Sequence, residues 1–230
     1  MCRRFAFTLA EVLITLGIIG VVAALTLPNV IANYQKKQTV VKLKKVYTTL
    51  SQAVDMSKAD YGDVSTWGLE EGYGTESGAV AQDFVSNFAN KFVVPYLAKA
   101  QNLGYISLQS FGYKKLPSNL DGTEPLWLSS TSRSNMFILS DGTPIGIKYD
   151  DINKGTEEEP KRVAWAIFFW TDLNGINGPN VVGRDIFLFK LKLAENARLA
   201  PYYYENSSFA SNLRNCKIGG IESRVCTGVI

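Results

Sequence analysis

Between Phe5 and Gln35 a single residue, Glu11, is charged, and from Val12 to Gln35 there is no charge at all. The first two-thirds of that run are almost wholly Leu, Ile, Val, Ala and Gly. About 20 apolar residues span a bilayer, and a buried core helix rarely needs so many. The run therefore predicts a membrane-length helix, which restricts the chain more than any other feature. Glu11 in such a segment costs roughly 2.5–3.5 kcal/mol on insertion scales. It calls for a partner and a purpose.

Two plainer readings compete with a retained span. Arg3-Arg4, the apolar middle and Val22-Ala23-Ala24 outline a cleavable secretory signal. Against it, Glu11 would fall inside the apolar region, and helix-compatible sequence continues well past that cut. A buried cytosolic helix is the other reading, and the length of the run counts against it. Orientation is contested by charge. Arg3 and Arg4 favour a cytoplasmic N-terminus, while Lys36, Lys37, Lys42, Lys44 and Lys45 pull the other way. A cysteine pair near the C-terminus sides with export of the C-terminal part.

Composition removes several chemistries. With no histidine, the chain lacks the usual general base, the Ser–His and Cys–His nucleophile pairs, and imidazole ligands for zinc. Cys2, Cys216 and Cys226 do not form a zinc framework. A formal charge of +3 gives no reason to expect duplex nucleic acid as a partner. No G-x-S-x-G, Walker loop or metal–histidine cluster is present, so an enzyme is not expected. Asp150-Asp151 and the acidic run 157–159 read as solvated loop charges.

From Phe5 to Pro28 the chain reads F-A-F-T-L-A-E-V-L-I-T-L-G-I-I-G-V-V-A-A-L-T-L-P. In this stretch it resembles the type IV pilin superfamily, which includes the pseudopilins of type II secretion systems. Members carry a short basic leader, a small residue at the cut, then Phe-Thr-Leu-x-Glu and an apolar helix. The resemblance makes 1–6 a prepilin leader, cut between Ala6 and Phe7, with N-methylation of the new Phe7 amine. Ala6 stands where members usually have glycine, and it keeps the position small. Glu11 becomes the fifth residue of the mature chain, and Pro28 the twenty-second, where many pilins have a helix-distorting proline.

The resemblance also implies a filament. In an assembly, the Glu11 carboxylate of one subunit would pair with the Phe7 ammonium of its neighbour. A buried pair is tolerable where a lone buried charge is not, so Glu11 would act as a register pin. The plainer role, a carboxylate favoured by the macrodipole at a helix N-terminus, is compatible with it. The partners implied are other pilin or pseudopilin subunits, prepilin peptidase, an inner-membrane assembly platform, and the bilayer before assembly. The chain would sit in the bacterial inner membrane as a single pass, N-terminus cytoplasmic and head exported, and then in an extracytoplasmic filament.

The expected fold is α+β: one long N-terminal helix packed on an antiparallel β-sheet head. Its apolar half covers 7–33 and its amphipathic half 34–60, with the head at 61–230. Ile31, Tyr34, Val41, Tyr47, Leu50 and Val54 recur at helical spacing and predict the stripe that packs on the head. Pro28 predicts a kink or a locally melted turn. The Gly- and Ser-rich stretch 60–78 reads as a loop. Residues 80–99 predict a second helix, with Phe84, Phe88 and Phe92 on one face and a break at Pro95. Residues 136–140 and 144–149 predict a hairpin around Asp141-Gly142. Strands are expected at 163–171 and 185–193. The stretch 104–134 is weakly patterned, and 194–230 reads as loop-rich.

Cys216 and Cys226 bracket a small loop with Gly219 and Gly220. In an oxidising compartment such a pair readily forms a disulfide, and many pilins have one there; two free thiols are the alternative. Cys2 would leave with the leader. Residues 171–185 offer Asp172, Asn174, Asn180 and Asp185 around a glycine-rich loop. Some pseudopilins bind calcium in a C-terminal loop, which makes Asp172, Asn174 and Asp185 candidate ligands. A turn in which Asn, Asp and Gly satisfy the backbone is the other reading. The alternative reading, second to the filament subunit, makes the head a membrane- or filament-displayed binding module for adhesion, DNA uptake or capture of an export substrate, with the helix as its anchor.

Overall fold

A computed structural model describes residues 8–69, 78–119, 122–128, 132–153, 162–202, 217–218 and 221–222. Ala6, Phe7, Cys216 and Cys226 lie outside the described residues. The chain divides into two units, 1–41 and 42–230. Helix α1, Leu9–Tyr61, begins in the first and ends in the second.

In the first unit α1 runs unbroken through Pro28, so the expected melted turn is absent. Proline removes one amide donor and leaves the remaining backbone bonds of the turn to be made. Leu13, Ile18 and Leu25 are 61%, 60% and 71% exposed, typical of this unit.

In the second unit α1 changes character. Leu43, Val46, Leu50, Ala53, Val54 and Ser57 are buried on one stripe, at the 3–4 residue spacing of a helix face. Ile31, Tyr34 and Val41, expected on the packing stripe, are exposed. The buried stripe starts at Leu43, where head side chains become available to cover it.

The head is a six-stranded antiparallel meander in simple chain order. Its strands are β1 Gln101–Ser107, β2 Arg133–Ile138, β3 Pro144–Asn153, β4 Arg162–Asp172, β5 Ile186–Lys192 and β6 Ala200–Tyr202. Two further two-residue strands, β7 Lys217–Ile218 and β8 Ile221–Glu222, pair with each other. On one sheet face, Phe137, Ile145, Ile147, Ile167, Phe169 and Leu191 pack with the α1 stripe and with Val85, Phe88 and Phe92. On the other, Met136, Ala166, Phe168, Trp170, Ile186 and Leu188 are covered by Leu108, Tyr113 and Leu128. Burial on both faces explains why β4 and β5 read as nearly continuous apolar runs. One solvated face would have imposed alternation.

Helix α2, Gly78–Phe88, carries the expected aromatic face. Phe88 and Phe92 have centroids 5.8 Å apart, and Trp67 stacks on Phe92 at 4.2 Å. The break lies before Pro95: Ala89–Val93 winds as a π-helix and Val94–Tyr96 as a 3-10 turn. Pro95 has no amide to bond the carbonyl four residues back, and its ring crowds that carbonyl, which favours a change of winding there.

The hairpin expected at Asp141-Gly142 is present. Leu139 N–H donates to Thr143 O at 2.9 Å, and Gly142 takes φ +85° in the turn. Asp150 and Asp151, expected in a loop, lie on β3 at a bulge where the register against β4 shifts. β1 falls partly in the weakly patterned stretch. Its alternation is broken by a bulge between Asn102 and Gly104.

Candidate functional site

The first candidate is the start of α1. Thr8 Oγ1 accepts from Glu11 N–H at 3.3 Å, and Glu11 Oε2 accepts from Thr8 N–H and from Thr8 Oγ1–H, each at 2.8 Å. This is a capping box: two amides that a helix leaves without partners are satisfied reciprocally. The Thr8-Leu9-Ala10-Glu11 spacing carries that signal in the sequence, beside the charge and hydropathy pattern that first marks Glu11. Among the described residues Oε2 takes both donors, so Oε1 remains open to a further one. Glu11 is exposed, as is every neighbouring residue of the apolar run. α1 is long and apolar enough to cross a membrane, and by the same measure it could serve as a signal sequence.

The second candidate is the turn between β4 and β5, which does bring Asp172, Asn174 and Asp185 together. Asn174 Nδ2 donates to Asp185 Oδ2 at 2.9 Å and to Gly178 O at 2.6 Å, while Asn174 N–H donates to Asp172 Oδ1 at 3.2 Å. Asp185 also accepts from the amides of Asn180 at 2.9 Å and Val181 at 2.6 Å. The remaining oxygen of Asp172 accepts from Tyr113 Oη–H at 2.8 Å.

Asp172 is fully buried. Burial pushes its pKa up to about 7; the Tyr113 hydroxyl and the amides of Asn174 and Gly175 oppose the shift, and the Asp185 charge adds to it. Burial likewise raises Tyr113, with the charge of Asp172 behind it.

Calcium requires six to eight oxygen ligands, some of them backbone carbonyls. Both oxygens of each carboxylate here already accept hydrogen bonds from N–H or O–H donors. Asn174 turns its amide nitrogen, not its oxygen, toward Asp185 and Gly178. Among the described residues no group of three or more acidic, Cys or His side chains is placed to hold a metal. As arranged, the set does not fit a calcium ion. It is a hydrogen-bonded turn whose polar side chains replace the ladder bonds that end with β4.

Beside this turn is a cleft of about 890 Å³, lined among others by Lys42, Lys45, Phe111, Ile138 and Ile176. Its lysines are engaged. Lys42 Nζ donates to Leu173 O at 3.3 Å, and Lys45 Nζ pairs with Asp141 Oδ2 at 2.7 Å. Burial alone would raise Asp141, but hydrogen bonds from Lys45 and Thr143, with the Lys45 charge, hold it at about 2. On the outer sheet face, Lys190 Nζ lies 4.0 Å from the Tyr202 ring centroid and 4.7 Å from that of Trp165. The sequence pattern gave no sign of this cluster, because β4, β5 and β6 bring its members together from separate strands.

A family model described as a family of unknown function (DUF6613) matches residues 29–209, and the chain belongs to that family. No curated protein and no solved structure matches the chain.

Proposed function

We propose that this member of DUF6613 is a structural subunit of a type IV pilus-like or type II secretion pseudopilus filament. It would be cut between Ala6 and Phe7, methylated at Phe7 and drawn from the inner membrane into the polymer. One observation carries the reading: the head completes its own core from Leu43 onward, while the described apolar residues of unit 1–41, Ala23 and Val40 apart, stay exposed. Exposed apolar surface on that scale needs a bilayer or other copies of itself as its surroundings.

The capping box leaves Glu11 oriented, with one oxygen available for the Phe7 ammonium of a neighbouring subunit. Pro28 lies within the same exposed unit. The head is pilin-like in carrying an antiparallel sheet against a helix, and no catalytic role is proposed for it. Mass spectrometry of the mature N-terminus tests the reading. A methylated or free Phe7 supports it, and a start at Leu25 replaces it with a cleaved secretory signal.

A second reading, the head as a membrane- or filament-displayed binding module, is favoured by the Lys190–Trp165–Tyr202 cluster. Ligand capture by full-length protein that is lost in Trp165→Ala would support it.

A further inference from the structure

α1 leaves its uncharged run at Gln35 and meets Lys36 and Lys37 at once. Both lysines are exposed, as is Tyr34, at 61%. Between Glu11 and Asp55 the sequence has no acidic residue, so no carboxylate lies within a helical turn or two to neutralise them. Among the described residues neither ammonium has a hydrogen-bond or ion-pair partner. In the head unit, by comparison, Lys42 donates to a backbone carbonyl and Lys45 pairs with Asp141.

A lysine at the end of a span can lay its stem along the acyl chains and hold its ammonium among the headgroups. A tyrosine at the same level sits with its ring in the tails and its hydroxyl in the headgroup layer. We infer that Tyr34, Lys36 and Lys37 form a collar that binds anionic phospholipid headgroups where the span ends. This rests on the membrane-span reading above.

The expected ligand is a phosphodiester headgroup with net negative charge. A zwitterionic headgroup carries its own ammonium, which competes with the lysines for the phosphate. The collar gives the two lysines a role at the far end of the span, where a count of basic residues alone would not place them. It also opposes withdrawal of the helix, so anionic lipid slows release of the subunit into a polymer.

The test uses the full-length chain in vesicles of phosphatidylcholine alone, or with about a third phosphatidylglycerol. Vesicle flotation reads the span. A bilayer-permeant amine-acetylating reagent, followed by mass spectrometry, reads each lysine. Labelling of Lys36 and Lys37 should fall roughly fivefold in the anionic vesicles at low salt and recover in about 1 M salt, while Lys99 stays constant. In Lys36→Gln/Lys37→Gln the chain should still float, but lose the enrichment of phosphatidylglycerol that co-purifies with the wild type. Flotation with equal labelling in both vesicles overturns the collar and leaves the span intact. Labelling that falls only when DNA is added overturns it in favour of nucleic acid. Failure to float in either vesicle overturns the span and the collar together.

Discussion

Tyr113 donates its hydroxyl to the fully buried carboxylate of Asp172 at 2.8 Å, joining the segment after α3 (Leu108–Phe111) to the end of β4. The bond fixes the start of the β4–β5 turn, and the burial of Asp172, which the bond only partly offsets, gives the head a pH dependence of definite sign. Asp172 stands at about 7 in the folded head against an ordinary 3.8. Between those values the folded state binds the proton and the unfolded state does not. Stability is therefore greatest below about pH 4 on this account, and falls as pH rises toward 7, by at most about 1.4 kcal/mol per pH unit. Asp172→Asn should flatten that slope in urea titrations of tryptophan fluorescence.

Tyr113→Phe leaves one oxygen of Asp172 buried without its donor. A loss of about 1–3 kcal/mol in unfolding free energy is expected at pH 7. Near pH 4, where Asp172 is protonated in the folded head, the loss should be smaller. Equal losses at both pH values would show that Tyr113 acts through packing alone.

Gly146 sits opposite Trp170 across β3 and β4, and a Cβ there would lie 2.1 Å from Trp170 Nε1. The indole N–H is itself held by Ser134 Oγ at 3.0 Å, so the ring cannot retreat without losing that bond. Gly146→Ala should cost about 3 kcal/mol or more, at or above the upper end of ordinary overpacking. Gly146→Ala with Trp170→Phe should recover part of it, read by the thermal midpoint of the head.

Thr8 and Glu11 separate capping from assembly. Thr8→Ala removes the cap and should weaken the first helical turn by about 1 kcal/mol, seen as faster amide exchange at residues 9–12. Filaments should still form. Glu11→Ala removes both cap and register carboxylate, and should abolish or weaken incorporation while the head stays folded. Normal incorporation of Glu11→Ala would remove the register role.

The Lys45–Asp141 pair offers a contrasting expectation. Lys45 is 63% exposed, and solvent screens the pair. Lys45→Met should shift stability by less than about 1 kcal/mol at neutral pH. Asp141 is held at about 2, so its contribution is present above 3.8 and is lost only as pH falls toward 2. That window does not overlap the one set by Asp172, so the two can be resolved by titration.

Elements with local signals were legible in the sequence. The Asp141-Gly142 turn, the apolar-aromatic run of β4, the Phe84–Phe88–Phe92 face and the break before Pro95 all depend on residues within one or two turns of each other. β1 was missed because its bulge at Asn102–Gly104 breaks the period-two pattern, and Tyr113 because its partner lies 59 residues away. The calcium expectation drew on residue types without their donors. Only the folded turn shows that the Asp172 and Asp185 oxygens face N–H and O–H groups.

For Glu11, the sequence by itself determined a lone carboxylate in a membrane-length run and, through Thr8-x-x-Glu11, the means of capping it. Both are helix-local, set by spacing of three residues and by the absence of charge. The tertiary structure decided where α1 becomes part of a head. Within the head unit the buried stripe begins at Leu43, because burial there depends on which strands stand opposite, and no periodicity within the helix contains that information.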